Sequence, residues 1–86
     1  MKADHKQVKR LLNTARGQID GIIKMVDEDR YCIDIANQVM ATDAILKKVY
    51  KEVIAAHMSC CIKESIENND EEKLEEMIQL LNNLIK

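Results

Sequence analysis

The feature that most constrains this 86-residue chain is a stretch from about Arg30 to Glu67 that contains neither Pro nor Gly. Apolar and sulfur-containing residues recur along it at helical spacing, which predicts one long helix. The stripe contains Ile35, Ala36, Val39, Leu46, Val49, Val53, His57, Cys60 and Cys61. Such a helix is roughly 54 Å long, at about 1.5 Å per residue. Two shorter helices cannot cover it, so we expect another chain to do so.

A first, shorter helix is predicted from about Asp4 to Glu28. Its apolar residues follow the i, i+3, i+4, i+7 pattern, and they are Val8, Leu11, Leu12, Ala15, Ile19, Ile22, Ile23 and Val26. The polar run Asp27–Arg30 interrupts the pattern and predicts a turn. Asp29 is the expected N-cap of the long helix.

A third helix is predicted after Asn68 and Asn69, which end the long one. Asn69 and Glu72 have the spacing of a capping box. The apolar face contains Leu74, Met77, Ile78, Leu81, Leu84 and Ile85. Because the chain has no Pro and only two Gly, strand and turn signals are scarce. We therefore expect an all-α fold with three helices, in a single domain over residues 1–86.

The unpartnered surface of the long helix predicts an antiparallel dimer about a two-fold axis. Further pairing of dimers would give a tetramer. The alternative is a monomeric three-helix bundle in which the second helix is bent or shorter.

Charge is distributed unevenly along the chain. Residues 1–24 carry six basic and two acidic side chains, whereas residues 64–86 carry seven acidic and two basic ones. A basic start suits an anionic partner if its cations share one surface, although an ordinary solvated surface explains it as well. The sequence has no apolar stretch that would span a bilayer and no signal-peptide pattern, so we expect a cytoplasmic protein without a membrane partner.

Three residues could form a sensing site. His57 and Cys61 lie one turn apart on one helix face, with Cys60 beside them as a substitute ligand or accessory thiol. Cys32 is about 37 Å away on a continuous helix. In an antiparallel dimer, however, Cys32 of one chain approaches His57 and Cys61 of the other.

Two thiolates and one imidazole suit Cu(I), whereas structural Zn(II) normally takes four protein ligands. The same cysteines could instead form a disulfide or a bridge with added sulfur, as in a sensor of reactive sulfur. They could also be ordinary core residues. We find no nucleophile with its acid–base partners and no phosphate-binding Gly loop, so the sequence does not indicate an enzyme.

The segments "RGQIDGIIKMVDEDRYCIDI", residues 16–35, and "HMSCC", residues 57–61, resemble the copper-sensing operon repressor (CsoR) family. The resemblance covers nearly the whole chain. It implies a dimer-of-dimers tetramer that binds operator DNA and is released by an inducer at Cys32, His57 and Cys61. It also implies that Tyr31 and Glu76 support the ligands.

The branches of this family differ in their ligands. The absence of Pro argues against the formaldehyde-sensing branch, and Cys61 stands where the nickel and cobalt branch has His. His57 and Tyr31 favour copper over the persulfide-sensing branch, in which the inducer would crosslink Cys32 to Cys61 of the partner. Cys60 is unusual for a copper sensor and keeps the persulfide alternative open.

No helix-turn-helix motif occurs, so DNA binding would use a basic surface of the assembly. Arg16 and Gln18 belong to the "RGQ" signature and are the leading DNA contacts. Further phosphate contacts are expected from Lys9, Arg10, Lys47, Lys48 and Lys51. With only two aromatic residues, duplex DNA is a better partner than stacked single strands. A helical interaction module that never binds DNA is the alternative of another class.

Overall fold

The computed structural model consists of three helices, α1 (His5–Asp27), α2 (Cys32–Asn68) and α3 (Glu71–Ile85). It describes residues 1–68 and 71–85, without the side chains of residues 61–66, 68, 84 and 85. No strand occurs in this described part. The prediction of an all-α chain with three helices is confirmed, and the ends of α1 lie within one residue of the predicted bounds.

The start of α1 is fixed by Asp4. Its backbone is extended, and its carboxylate Oδ1 accepts the N–H of Lys6 at 3.0 Å. This bond satisfies one of the N–H groups that have no partner inside the first turn of a helix. A side-chain cap is the local reason why the helix begins at His5.

The turn after α1 corrects the expected role of Asp29. The N–H of Asp29 bonds to the carbonyl of Val26, and the N–H of Arg30 bonds to the carbonyl of Met25, both at 3.0 Å. These two bonds form a Schellman motif, which requires a left-handed residue just after the helix. Asp29 is that residue, with φ 52°, so it ends α1 and does not cap α2.

The second helix begins at Cys32, two residues later than predicted, and ends at Asn68, one residue later than predicted. The capping role of Asn69 lies outside the described residues. Exposed apolar side chains occur on two sides of α2, with Ile33 and Met40 on one side and Val39 and Leu46 on the other. Val39 and Leu46 belong to the predicted stripe, and Ile33 and Met40 extend the exposed apolar surface to a second side of α2.

The chain forms two compact units, and the first is Asp4–Tyr50. In this unit Val8, Leu11 and Ala15 of α1 are buried, as their place on the predicted stripe requires. An apolar groove of about 350 Å³ also lies in this unit. It is lined by Ile19, Ile22, Ile23, Val39, Thr42, Asp43 and Leu46.

The second unit comprises Met1–Ala3 and Lys51–Lys86. On α3, Met77 is buried and Leu74 and Leu81 are half-buried, whereas Ile78 is 57% exposed. The predicted α3 face is thus partly covered, and the side chains of residues 84 and 85 lie outside the description. The single-domain organisation stays a prediction.

Candidate functional site

Cys32 is the first residue of α2, and its thiol is exposed. The preceding residue, Tyr31, has a side chain that is 59% exposed, and its carbonyl accepts the N–H of Ile35 at 3.2 Å. The Schellman turn at the end of α1 immediately precedes these two residues. An exposed tyrosine and an exposed cysteine are therefore consecutive residues at the start of the long helix.

The other predicted ligands lie in the later part of α2. His57 is exposed and Cys60 is half-buried, while the side chain of Cys61 lies outside the described residues. His57 follows Cys32 by 25 residues along the same helix. Among the described side chains, no three His, Cys, Asp or Glu residues come together in a way that would hold a metal ion. The ligand set of Cys32, His57 and Cys61 stays a prediction that needs a second chain.

Glu76, the other predicted supporting residue, is an exposed residue of α3. Its role beside the site, like that of Tyr31 and of Cys60, stays a prediction.

A cluster of cations lies on the outer side of α1. Lys6, Lys9 and Arg10 line a surface depression together with Asn13 and Thr14. The Arg10 guanidinium donates to Oε1 of Gln7 from Nε at 3.2 Å and from Nη2 at 2.9 Å, which holds its fork in place. Lys6 was not among the predicted DNA contacts, although its i, i+3 and i, i+4 spacing from Lys9 and Arg10 is the signal that places it with them.

Arg16 extends this cluster. It follows Lys9 by seven residues, which is about two helical turns, so both lie on the same side of α1. Arg16 is exposed. We call Lys6, Lys9, Arg10 and Arg16 the α1 basic face. It lies across the helix from the buried residues Leu11 and Ala15.

Gln18 does not lie beside Arg16. The two positions are about 200° apart around the helix axis, at 100° per residue. Gln18 is half-buried, and its Oε1 accepts a hydrogen bond from Oγ1 of Thr42 on α2 at 2.8 Å. A direct DNA contact by Gln18 stays a prediction, and the observed contact is internal to the chain.

The lysines proposed on α2 are all exposed. Lys47 pairs with Asp43 one turn earlier, with Nζ 3.1 Å from Oδ2, so part of its charge is balanced locally. Lys48 and Lys51 have exposed side chains, and their DNA role stays a prediction.

Comparison with known proteins decides the family. The model of the family described as "metal-sensitive transcriptional repressor" matches residues 4–83. The chain belongs to this family. It is a metal-sensitive transcriptional repressor of the CsoR type and not an enzyme, which confirms the resemblance seen in the sequence. Membership favours a repressor over the alternative of a helical module that never binds DNA.

The relatives of this repressor sense different metals. The copper-sensing transcriptional repressor CsoR of Bacillus subtilis is 32% identical over 81 residues, covering 93% of this chain and 80% of that protein. The copper-sensing repressor CsoR with Cu(I) from Geobacillus thermodenitrificans has a TM-score of 0.81 at 30% identity, over 94% of this chain and 85% of that one. The nickel-responsive regulator InrS has a TM-score of 0.82 at 26% identity, over 98% and 96% of the two chains.

The matches therefore show that the chain is metal-sensitive, but the relatives respond to both copper and nickel, so the matches do not specify the metal. In the described part of the repressor, no helix is both long and apolar enough to cross a bilayer.

Proposed function

We propose that this protein represses transcription in the cytoplasm by binding operator DNA, and that Cu(I) bound between two subunits releases it. The site would contain Cys32 of one chain with His57 and Cys61 of another. The observation that carries the proposal is the position of Cys32, an exposed thiol at the first residue of the same helix that carries His57 25 residues later. An antiparallel pair of such helices brings opposite ends together.

The exposed apolar surface supports association between copies. The groove of about 350 Å³ in the first unit is lined mainly by Ile, Val and Leu side chains. Ile23 and Val39 are about half exposed, at 53% and 48%. Apolar side chains that are exposed together along a groove form a surface that association between copies can bury. Because α2 has a second exposed apolar side with Ile33 and Met40, a dimer through one side leaves the other for a dimer of dimers.

The donor set favours Cu(I) as the inducer. Two thiolates and an imidazole are soft to borderline ligands, and Cu(I) accepts three of them without a fourth. Ni(II) prefers a square-planar set with more N and O donors, and Zn(II) would need Cys60 or another residue. Tyr31, which precedes Cys32, and Glu76 would orient the ligands from outside the coordination shell.

The α1 basic face is the proposed DNA surface. Its exposed cations point away from the buried side of α1, so they can approach phosphates without unfolding the chain. Arg16 and Arg10 can each bind a phosphate through two N–H groups, whereas Lys9 acts as a point charge. Lys47, Lys48 and Lys51 would add contacts. Phosphate contacts of this kind read the shape of duplex DNA more than its bases.

Release follows from linkage. If Cu(I) joins two chains in one quaternary arrangement and DNA binds a different one better, each ligand weakens the binding of the other by the same factor. Couplings of this kind typically change affinity by about 5- to 150-fold.

The deciding experiment is a release assay on the reduced, full-length protein. Labelled duplex DNA from upstream of its own gene is saturated with protein, and anisotropy is followed while Cu(I), Ni(II) or inorganic polysulfide is added. Mass spectrometry reports the state of the thiols in each arm. We expect release by Cu(I) with unmodified thiols. Release by polysulfide alone, with a crosslink between Cys32 and Cys61 of two chains, would establish the persulfide sensor instead.

The variant Cys32→Ala separates sensing from DNA binding. It should bind the operator with the affinity of the wild type and no longer respond to Cu(I), because the site loses one of its three ligands. Cys60→Ala is the matched control and should keep its response. Loss of operator binding in Cys32→Ala would contradict the division of roles.

A further inference from the structure

Thr42 is the one buried polar side chain in the described part of the chain, with 4% of its surface exposed. Its hydroxyl connects the two helices of the first unit, since Oγ1 donates to Oε1 of Gln18 on α1 at 2.8 Å. The same hydroxyl lies 3.1 Å from the carbonyl of Gln38, one turn earlier on α2. A threonine hydroxyl has one proton, so these two acceptors compete for it.

This competition makes the helix-to-helix bond easy to break and remake. A buried donor that loses its partner normally costs about 1–3 kcal/mol. Here the Gln38 carbonyl can accept the hydrogen bond when Gln18 moves away, so the hydroxyl always has an acceptor. The link therefore has two satisfied arrangements, one between helices and one within α2.

The packing around the link leaves room for such a shift. Thr42 lines the apolar groove with Ile19 and Leu46, which are 44% and 41% exposed, so the helices are not tightly interlocked on this side. A hydrogen bond then contributes a larger share of what holds the register of α1 against α2.

The link also lies between the two proposed functional surfaces. Thr42 follows Cys32 by ten residues, about 15 Å along α2. Gln18 is two residues from Arg16 and on the other side of α1, so a change in the position of Gln18 turns or slides the helix that carries the α1 basic face.

We propose that Gln18 and Thr42 are positioning residues that carry the response from the sensing site on α2 to the DNA-binding face of α1. One state has the Thr42 hydroxyl bonded to Gln18, and the other has it bonded to Gln38. The proposal rests on the function proposed above, because it needs an inducer that acts at Cys32. It gives Gln18 a role inside the chain in place of direct DNA contact.

The test is the coupling factor, defined as the operator Kd with saturating Cu(I) divided by the Kd without it. Thr42→Val keeps the branched shape and removes the hydroxyl. We expect its coupling factor to fall about fivefold, the equivalent of one ordinary hydrogen bond, with the metal-free Kd within about threefold of the wild type. Gln18→Leu should lower the factor by a similar amount, and the double variant should lose no more than either single one.

Two further variants separate positioning from mere stability. Thr42→Ser retains the hydroxyl and should restore the coupling factor even though its melting temperature falls. Val8→Ala removes buried apolar contact from α1, since Val8 is only 6% exposed, and should keep the wild-type factor even though its melting temperature falls. If Thr42→Val does not fold, Gln18→Leu gives the same test at a half-buried site.

A coupling factor within twofold of wild type in a folded Thr42→Val or Gln18→Leu protein overturns the inference while the proposed function stands. Loss of metal-free operator binding in Gln18→Leu, with Thr42→Val normal, also overturns it and returns Gln18 to the DNA surface. A wild-type protein that Cu(I) does not release overturns the proposed function, and the inference with it.

Discussion

The turn between α1 and α2 gives a quantitative test of the structure. Asp29 adopts φ 52°, a left-handed conformation in which an L-residue suffers a close contact between Cβ and the neighbouring backbone. That contact costs roughly 1–2 kcal/mol for most residues and less for Asp, whose side chain bonds locally. Glycine has no Cβ, so Asp29→Gly removes the strain.

The net gain is smaller because glycine also makes the unfolded chain more flexible, by roughly 0.5–1 kcal/mol. We expect Asp29→Gly to be more stable than Asp29→Ala by about 1 kcal/mol and at least as stable as the wild type. For a domain of this size, 1 kcal/mol corresponds to a rise of about 4–8 °C in melting temperature. The difference in stability between Asp29→Gly and Asp29→Ala is the more decisive comparison, since both variants lack the carboxylate.

The assay is urea and thermal unfolding of metal-free protein at one fixed protein concentration, because association contributes to the measured stability. Glu28→Gly is the matched control. Glu28 has φ −84°, so glycine relieves no strain there, and the variant loses the ion pairs of Glu28 with Lys24 and Arg30. It should be less stable than the wild type. If Asp29→Gly were no more stable than Asp29→Ala, the left-handed turn and the Schellman motif would be refuted.

Three other predictions concern binding and the core. Arg16→Ala should weaken operator binding and reduce the slope of log K against log salt by about 0.9 for each contacting subunit. Arg30 is an exposed arginine paired with Glu28, so Arg30→Ala should leave both the affinity and the slope unchanged. Equal effects of the two variants would exclude a specific role for Arg16. Leu11→Ala should lower the free energy of unfolding by about 2–4 kcal/mol, because this side chain is only 6% exposed, and a loss below about 1 kcal/mol would contradict its burial. Cu(I) affinity measured by competition with a chelator should fall as the pH is lowered, because the thiols and imidazole must release protons to bind the metal, and an affinity independent of pH would exclude them as ligands.

The candidate ligands and cations could be named from the sequence because their signals are local. The spacing of His57, Cys60 and Cys61 needs only a helix to become a shared face, and the cations of α1 need only the same periodicity. The relation of Cys32 to His57 could be stated only as a requirement for a second chain, since residues 25 apart on one helix do not meet. The Gln18–Thr42 bond was not foreseen, because no pattern along the chain pairs residues 24 apart on different helices.

The sequence by itself determined the number of helices, their approximate ends and the buried side of α1, since Val8, Leu11 and Ala15 repeat with the period of the helix. Only the tertiary structure decided that Asp29 ends α1 in a left-handed turn, that Gln18 bonds to Thr42, and that α2 exposes apolar side chains on two sides. The physical reason is that periodicity is set by hydrogen bonds between near neighbours in the chain. The register between helices depends instead on how whole side-chain surfaces fit against each other.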